Sequence, residues 1–144
     1  MFDHRQSILI VEDNDQDREL TVHALTSHEI AQNIVAVGSA VEAMDYLHRR
    51  GRHRGHGSRP SLAIIDLHLP DSHGLELVRD IRNNPEYQDL PIVIFTGSQS
   101  AIDAAAARQL GANAFMVKPT HWEDMQALVR STAVFWAQQE QEAA

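Results

Sequence analysis

Four short apolar runs, each closed by a chemically special side chain, limit most strongly how this chain can fold. Glu12 and Asp13 follow Ile8-Leu9-Ile10-Val11, and Asp66 follows Leu62-Ala63-Ile64-Ile65. Thr96 follows Ile92-Val93-Ile94-Phe95, and Lys118 follows Ala114-Phe115-Met116-Val117. Runs of this length, rich in Val and Ile and spaced by helical segments, read as buried strands of a parallel sheet. Open α/β sheets bind their ligands at the carboxyl ends of such strands. Carboxylates, a hydroxyl and an ammonium are therefore expected to converge on one pocket. Lys118 is the single lysine among twelve basic residues.

Helical patterns fill the intervals. The first helix is expected from about Asp15, with Leu20, Ala24 and Leu25 on its buried side, followed by a short strand over Asn33 to Val37. Ser39 and Glu42 have capping-box spacing and open a helix carrying Val41, Met44, Tyr46 and Leu47. Leu75, Val78 and Ile81 mark the third helix, which stops by Pro85 because proline lacks a donor and restricts its predecessor. Pro91 begins the fourth strand, Ser100 and Asp103 can cap an alanine-rich helix, and Gly111 suits that helix's C-terminal turn. Thr120 and Glu123 offer a cap for a last helix reaching about Gln139. The pattern is βαβαβαβαβα, a doubly wound α/β layout expected to form one domain over residues 1–144.

Composition narrows the function. No apolar run approaches the roughly 20 residues of a membrane span, and the first six residues lack the apolar core of a signal peptide. Without cysteine, disulfide and thiolate chemistry are excluded, and a cytoplasmic location is the default expectation. A formal net charge of −8 argues against general nucleic-acid binding. The segment from His48 to Pro60, with three glycines and five arginines, reads as a mobile solvated loop. It could instead dock an acidic partner surface or, through His48, His53 and His56, bind a metal.

Glu12, Asp13 and Asp66 would repel one another in a shared pocket. Two carboxylates about 4 Å apart repel by roughly 4 kcal/mol at an effective dielectric near 20. Such a site takes up a proton or binds a cation. Hard oxygen donors suit Mg²⁺, which keeps several waters and often meets phosphate. Lys118 and Thr96 add a positive charge and a donor, as an incoming phosphoryl group requires. Phosphoryl transfer asks a protein mainly for alignment and charge stabilisation, and an aspartate can itself be the nucleophile.

These residues resemble the receiver domain of two-component response regulators over roughly Ser7 to Trp136. The likeness rests on Ile10-Val11-Glu12-Asp13, on Asp66 with Pro70, Asp71 and Gly74, on Phe95-Thr96-Gly97 and on Val117-Lys118-Pro119. It implies a flavodoxin-like five-stranded parallel sheet with strand order 2-1-3-4-5. It also implies that Asp66 takes a phosphoryl group from a phosphohistidine on a sensor histidine kinase. Asp13, Asp66 and the backbone carbonyl of His68 would then coordinate Mg²⁺, with Glu12 supporting the ion through water. Thr96 and Lys118 would grip the phosphoryl oxygens, while Pro70 and Gly74 shape the loop beyond Asp66. Receivers often have a cis peptide where Pro119 follows Lys118 here. Phe115 reads as core, yet it stands where receivers place an aromatic rotamer switch driven by the threonine. The imidazole of His68 is expected at the pocket mouth.

The loop before the third strand, the connection from Asn83 to Pro91 and the long last helix look like one subgroup, stand-alone regulators associated with bacterial phytochrome kinases. The subgroup implies a phosphoacceptor rather than a turnover enzyme, with output by protein contact or phosphate relay. In the last helix, Met125, Leu128, Val129, Thr132 and Trp136 follow helical spacing towards the core, and Val134 and Phe135 widen the apolar surface, which points to a homodimer face. Rival readings fit less well. A phosphatase of the haloacid-dehalogenase type favours an acid where His68 stands, and a flavodoxin-like cofactor binder needs a Ser-, Thr- and Gly-rich turn where Glu12 to Asp17 is acidic. Interaction modules that are never phosphorylated usually lose the acids or the lysine, which this chain keeps.

Overall fold

A computed structural model describes residues 6–26, 33–55, 59–121, 123–129 and 131. Its strands are β1 (Gln6–Val11), β2 (Ile34–Val37), β3 (Arg59–Ile65), β4 (Ile92–Thr96) and β5 (Ala114–Val117). All pair in parallel, in the order β2-β1-β3-β4-β5. The helices are α1 (Asp15–Thr26), α2 (Ala40–Leu47), α3 (Gly74–Arg82) and α4 (Ala101–Leu110), and residues 123–129 form a further helical segment, α5. The fold class and strand order match the sequence expectation.

Strand alternation sorts the aliphatic runs onto two faces. Leu9, Val11, Ala63, Ile65, Ile92 and Ile94 pack with α2, α3 and α4. Ile8, Ile10, Leu62, Ile64, Val93 and Phe95 pack with Ala24 and Leu25 of α1 and with Met125 and Val129 of α5. A sheet covered on both sides explains why its three central strands read as unbroken apolar runs. The chain steps outward from β1 to β2 and then crosses to β3 on the other side of β1. Neighbouring connections therefore diverge between β1 and β3, opening a crevice at their carboxyl ends.

Local signals account for the helix ends. Ser39 Oγ accepts from the Glu42 amide at 3.1 Å and Ser100 Oγ accepts from the Asp103 amide at 3.2 Å, so both expected caps form. Gly111 closes α4 with φ 106°, a left-handed conformation that glycine adopts without a Cβ penalty. Val41 departs from expectation: it is exposed, because Ala40, Ala43, Tyr46 and Leu47 define the buried stripe and Val41 lies off it.

The arginine-rich connection is shorter than expected, since β3 begins at Arg59. Pro60 has no N–H for the ladder, and the register shifts just there: Ser7 faces Pro60 but Ile8 faces Leu62. The buried Ser61 hydroxyl donates to the Ser7 carbonyl at 3.2 Å beside the shift. Arg52 pairs with Glu42, Arg50 with Asp45 at 3.4 Å and Arg49 with Glu86 at 3.6 Å, so these loop arginines lie against the protein's own acids. His56, and with it the three-histidine reading, falls outside the described residues, as do Thr132, Val134, Phe135, Trp136 and the helix end expected near Gln139.

Candidate functional site

Each chemically special residue sits at the end of its strand, fixed there by a backbone bond to a neighbour. The Glu12 amide donates to the Val37 carbonyl at 3.0 Å, the Asp66 amide to Val11 at 3.0 Å, and the Lys118 amide to Thr96 at 2.7 Å. These bonds continue the parallel ladder one residue past the apolar run. Glu12, Asp66, Thr96 and Lys118 thereby gather over the crevice, and the first three are buried. Asp13, next along the chain, is exposed.

Lys118 is the hub. Its Nζ donates to Glu12 Oε1 and, at 2.9 Å each, to Asp66 Oδ2 and Asp17 Oδ2. Burial opposes the lysine's charge, but hydrogen bonds to Glu12, Asp17 and Asp66 outweigh it and raise its pKa. Burial pushes Glu12 up to about 7, the Lys118 hydrogen bond opposing and the Asp66 charge reinforcing the rise. Asp66 goes the other way: burial would raise it, yet hydrogen bonds from Lys118 and Thr96 hold it below the ordinary range. The site thus separates a carboxyl that readily takes a proton from one kept ionised, as a nucleophile requires.

The loop between Asp66 and α3 is fastened at three points. The His68 amide donates to Asp66 Oδ1 at 3.3 Å, the Gly74 amide donates to the Leu67 carbonyl at 2.8 Å, and His73 Nδ1 caps α3 by accepting from the Leu75 amide at 3.1 Å. The His68 imidazole is exposed, its ring centroid 6.4 Å from that of His73. Asp71 reaches across the fold: its two carboxylate oxygens accept from the Ala40 and Val41 amides at 2.9 Å each, capping α2. Burial would raise the Asp71 pKa, but these backbone donors outweigh it and lower it. Asp71→Ala should lose one helix cap, about 1 kcal/mol. The loss should be full above the ordinary aspartate pKa near 3.9 and should fade as pH falls through the lower folded value, because wild type then loses the cap as well. Urea titrations at neutral and acid pH measure it.

Phe115 is half-buried, opposite Ile94 and packed against the face that carries α2, α3 and α4. The Lys118–Pro119 peptide is trans, and none of the described peptides is cis. Sequence reasoning missed Asp17 and the capping role of Asp71. A signal for Asp17 existed, because an acid in the first turn of α1 starts beside the strand end that carries Glu12.

A divalent cation fits the chemistry of this donor set. The groups are hard oxygens, with three carboxylates, those of Glu12, Asp17 and Asp66, around one ammonium. Among the described residues, no three acidic or histidine side chains already form a cage. Mg²⁺ needs none, since it is held by one or two carboxylates, waters and phosphate.

The response regulator receiver domain family matches residues 8–130. This chain belongs to that family. Receiver relatives include the response regulator Rcp1 of Synechocystis, 30% identical over 129 residues that span 90% of this chain and 87% of Rcp1. The phosphorylated cyanobacterial phytochrome response regulator RcpA superposes with a TM-score of 0.85 at 30% identity, covering 91% of this chain and 93% of RcpA. The Mn²⁺-bound form of Rcp1 gives 0.83 at 29% identity, over 90% and 93% of the two chains. The receiver thus stands among phytochrome-associated response regulators. Among its described residues, no helix is long and apolar enough to cross a membrane.

Proposed function

We propose that this receiver accepts a phosphoryl group on Asp66 from a phosphohistidine of a sensor histidine kinase and signals through altered protein contacts or onward phosphate relay. The carrying observation is a buried Asp66 whose carboxylate accepts from the chain's single lysine at 2.9 Å, with the buried Thr96 at the end of the neighbouring strand. An Asp66 carboxylate oxygen attacks phosphorus, the P–N bond of the phosphohistidine breaks, and the imidazole leaves. Lys118 and Thr96 meet the charge on the phosphoryl oxygens, which is the main demand of such a transfer. Asp13, Asp66, the His68 carbonyl and, through water, Glu12 would hold Mg²⁺, which supplies further charge neutralisation. The Mn²⁺-bound relative supports this. The protein is a phosphoacceptor whose own residues promote gain and loss of the group, not a turnover enzyme.

A phosphoryl group adds about −1.5 to −2 charges and three acceptor oxygens. Thr96 is drawn towards it, and Phe115 turns into the vacated space and reshapes the α4, β5 and α5 face. Ile102 of α4 is 81% exposed and Val117 of β5 38%, apolar surface suited to a partner or a second copy. A homodimer through this face and the last helix is the favoured output. Partnership with a bacterial phytochrome kinase leans on RcpA, a phytochrome response regulator by name. The stand-alone mode of action leans on relatives of similar length.

Intact mass after incubation with Mg²⁺ and acetyl phosphate tests the reading. Wild type should gain one phosphoryl group and Asp66→Asn none, with native mass reporting the dimer fraction in parallel. A phosphoryl adduct on Asp66→Asn would place the acceptor elsewhere.

A further inference from the structure

The first turn of α1 is wired into the pocket. Asn14 donates its amide to Glu12 Oε2 at 3.3 Å and caps α1 by accepting from the Asp17 amide at 2.9 Å. Arg18 donates to the Glu12 carbonyl at 2.9 Å. Asp17 is thereby fixed at the rim, one carboxylate oxygen 2.9 Å from the Lys118 ammonium. We infer that Asp17 is a positioning residue for phosphoryl transfer, tethering the ammonium of Lys118 at the mouth of the pocket, an assignment that rests on Asp66 being the acceptor.

An ammonium has three N–H donors, and here Glu12, Asp17 and Asp66 take one each. When Asp66 is phosphorylated, the donor now directed at its carboxylate passes to a phosphoryl oxygen. The other two stay on Glu12 and Asp17, so Nζ need not travel. A lysine side chain has four carbons of freedom, and a free ammonium on that stem must be ordered at each transfer. Asp17 holds the ammonium from the rim, its side chain 32% exposed where those of Glu12 and Asp66 are 5% and 7%.

Asp17→Asn keeps the shape, the α1 cap and the Thr21 hydroxyl bond to the Asp17 carbonyl at 2.8 Å. It should slow phosphorylation by acetyl phosphate about tenfold, the scale of one hydrogen bond between charged groups, with Asp17→Glu recovering part of the rate. The decisive comparison repeats Asp17→Asn in a Lys118→Met background, where its effect should vanish. A merely structural or long-range electrostatic role would give the same change in both backgrounds and would overturn the assignment. Because the chain has one lysine, ¹⁵N-lysine labelling gives a single Nζ resonance. That resonance should shift in Asp17→Asn, and an unmoved signal would also overturn the assignment. If wild type takes up no phosphoryl group, the acceptor reading falls and the Asp17 role with it; if wild type is phosphorylated and the two backgrounds respond alike, only Asp17 falls.

Discussion

Gly74→Ala should destabilise the protein by about 2–3 kcal/mol, the upper range for forcing atoms into filled space, and should slow phosphorylation as well. A Cβ at residue 74 would collide with the Asp66 carbonyl oxygen and would stand 2.7 Å from Leu67 Cα. Both neighbours are backbone, so no side chain can swing aside. The atoms that must give way belong to Asp66 itself and to the loop that returns from it. A misplacement of about 1 Å can cost a reacting group some 100-fold in rate. Urea denaturation and phosphorylation kinetics on the same variant should therefore show coupled losses. Gly97 is the control, because a Cβ there meets nothing within 4 Å and Gly97→Ala should stay within about 0.5 kcal/mol. Equal stability of the two variants would mean that the loop relaxes freely around Gly74.

The readable parts of the sequence were those governed by local period. β1, β3 and β4 are buried on both faces, so their aliphatic runs announced them, and the pocket residues were legible because each terminates such a run. The Ser39 and Ser100 caps were equally local. The start of β3 was hidden because Arg59-Pro60-Ser61 has loop chemistry and pairs only through a register shift. Asp71 and Asp17 were hidden for another reason. Asp71 caps a helix that begins 31 residues earlier, and Asp17 meets a lysine 101 residues later. Nothing in the local pattern separates such acids from solvated loop or first-turn residues; only the tertiary fold assigns their partners.

Lys118→Met carries the second large expectation. The side chains of Lys118, Glu12 and Asp66 are 11%, 5% and 7% exposed, so the variant leaves carboxylates without their internal counter-ion. Breaking a buried pair in this way costs about 3–5 kcal/mol. Glu12 softens the loss by taking up a proton, which sets its pH dependence. Burial raises the folded Glu12 pKa from 4.5 to about 7 in the wild type, and the Lys118 hydrogen bond is the largest influence opposing that rise. Between those values the folded protein binds more protons than the unfolded chain, so this group makes stability fall as pH rises. Removing the lysine raises the upper limit of that window, so the variant should keep losing stability above pH 7, where the Glu12 contribution in wild type has levelled off. Mg²⁺ should then act as the replacement counter-ion. Without the ammonium competing for Glu12 and Asp66, the ion should bind the folded variant more tightly and raise its Tm by more than it raises that of wild type. Phosphorylation should nonetheless remain slow, because a cation that restores charge balance does not supply the N–H donor aimed at the phosphoryl oxygens. Thermal melts at several Mg²⁺ concentrations, read beside acetyl phosphate kinetics, separate the two roles. An equal Mg²⁺-induced rise in Tm for both proteins would show that Lys118 and the ion do not share carboxylates.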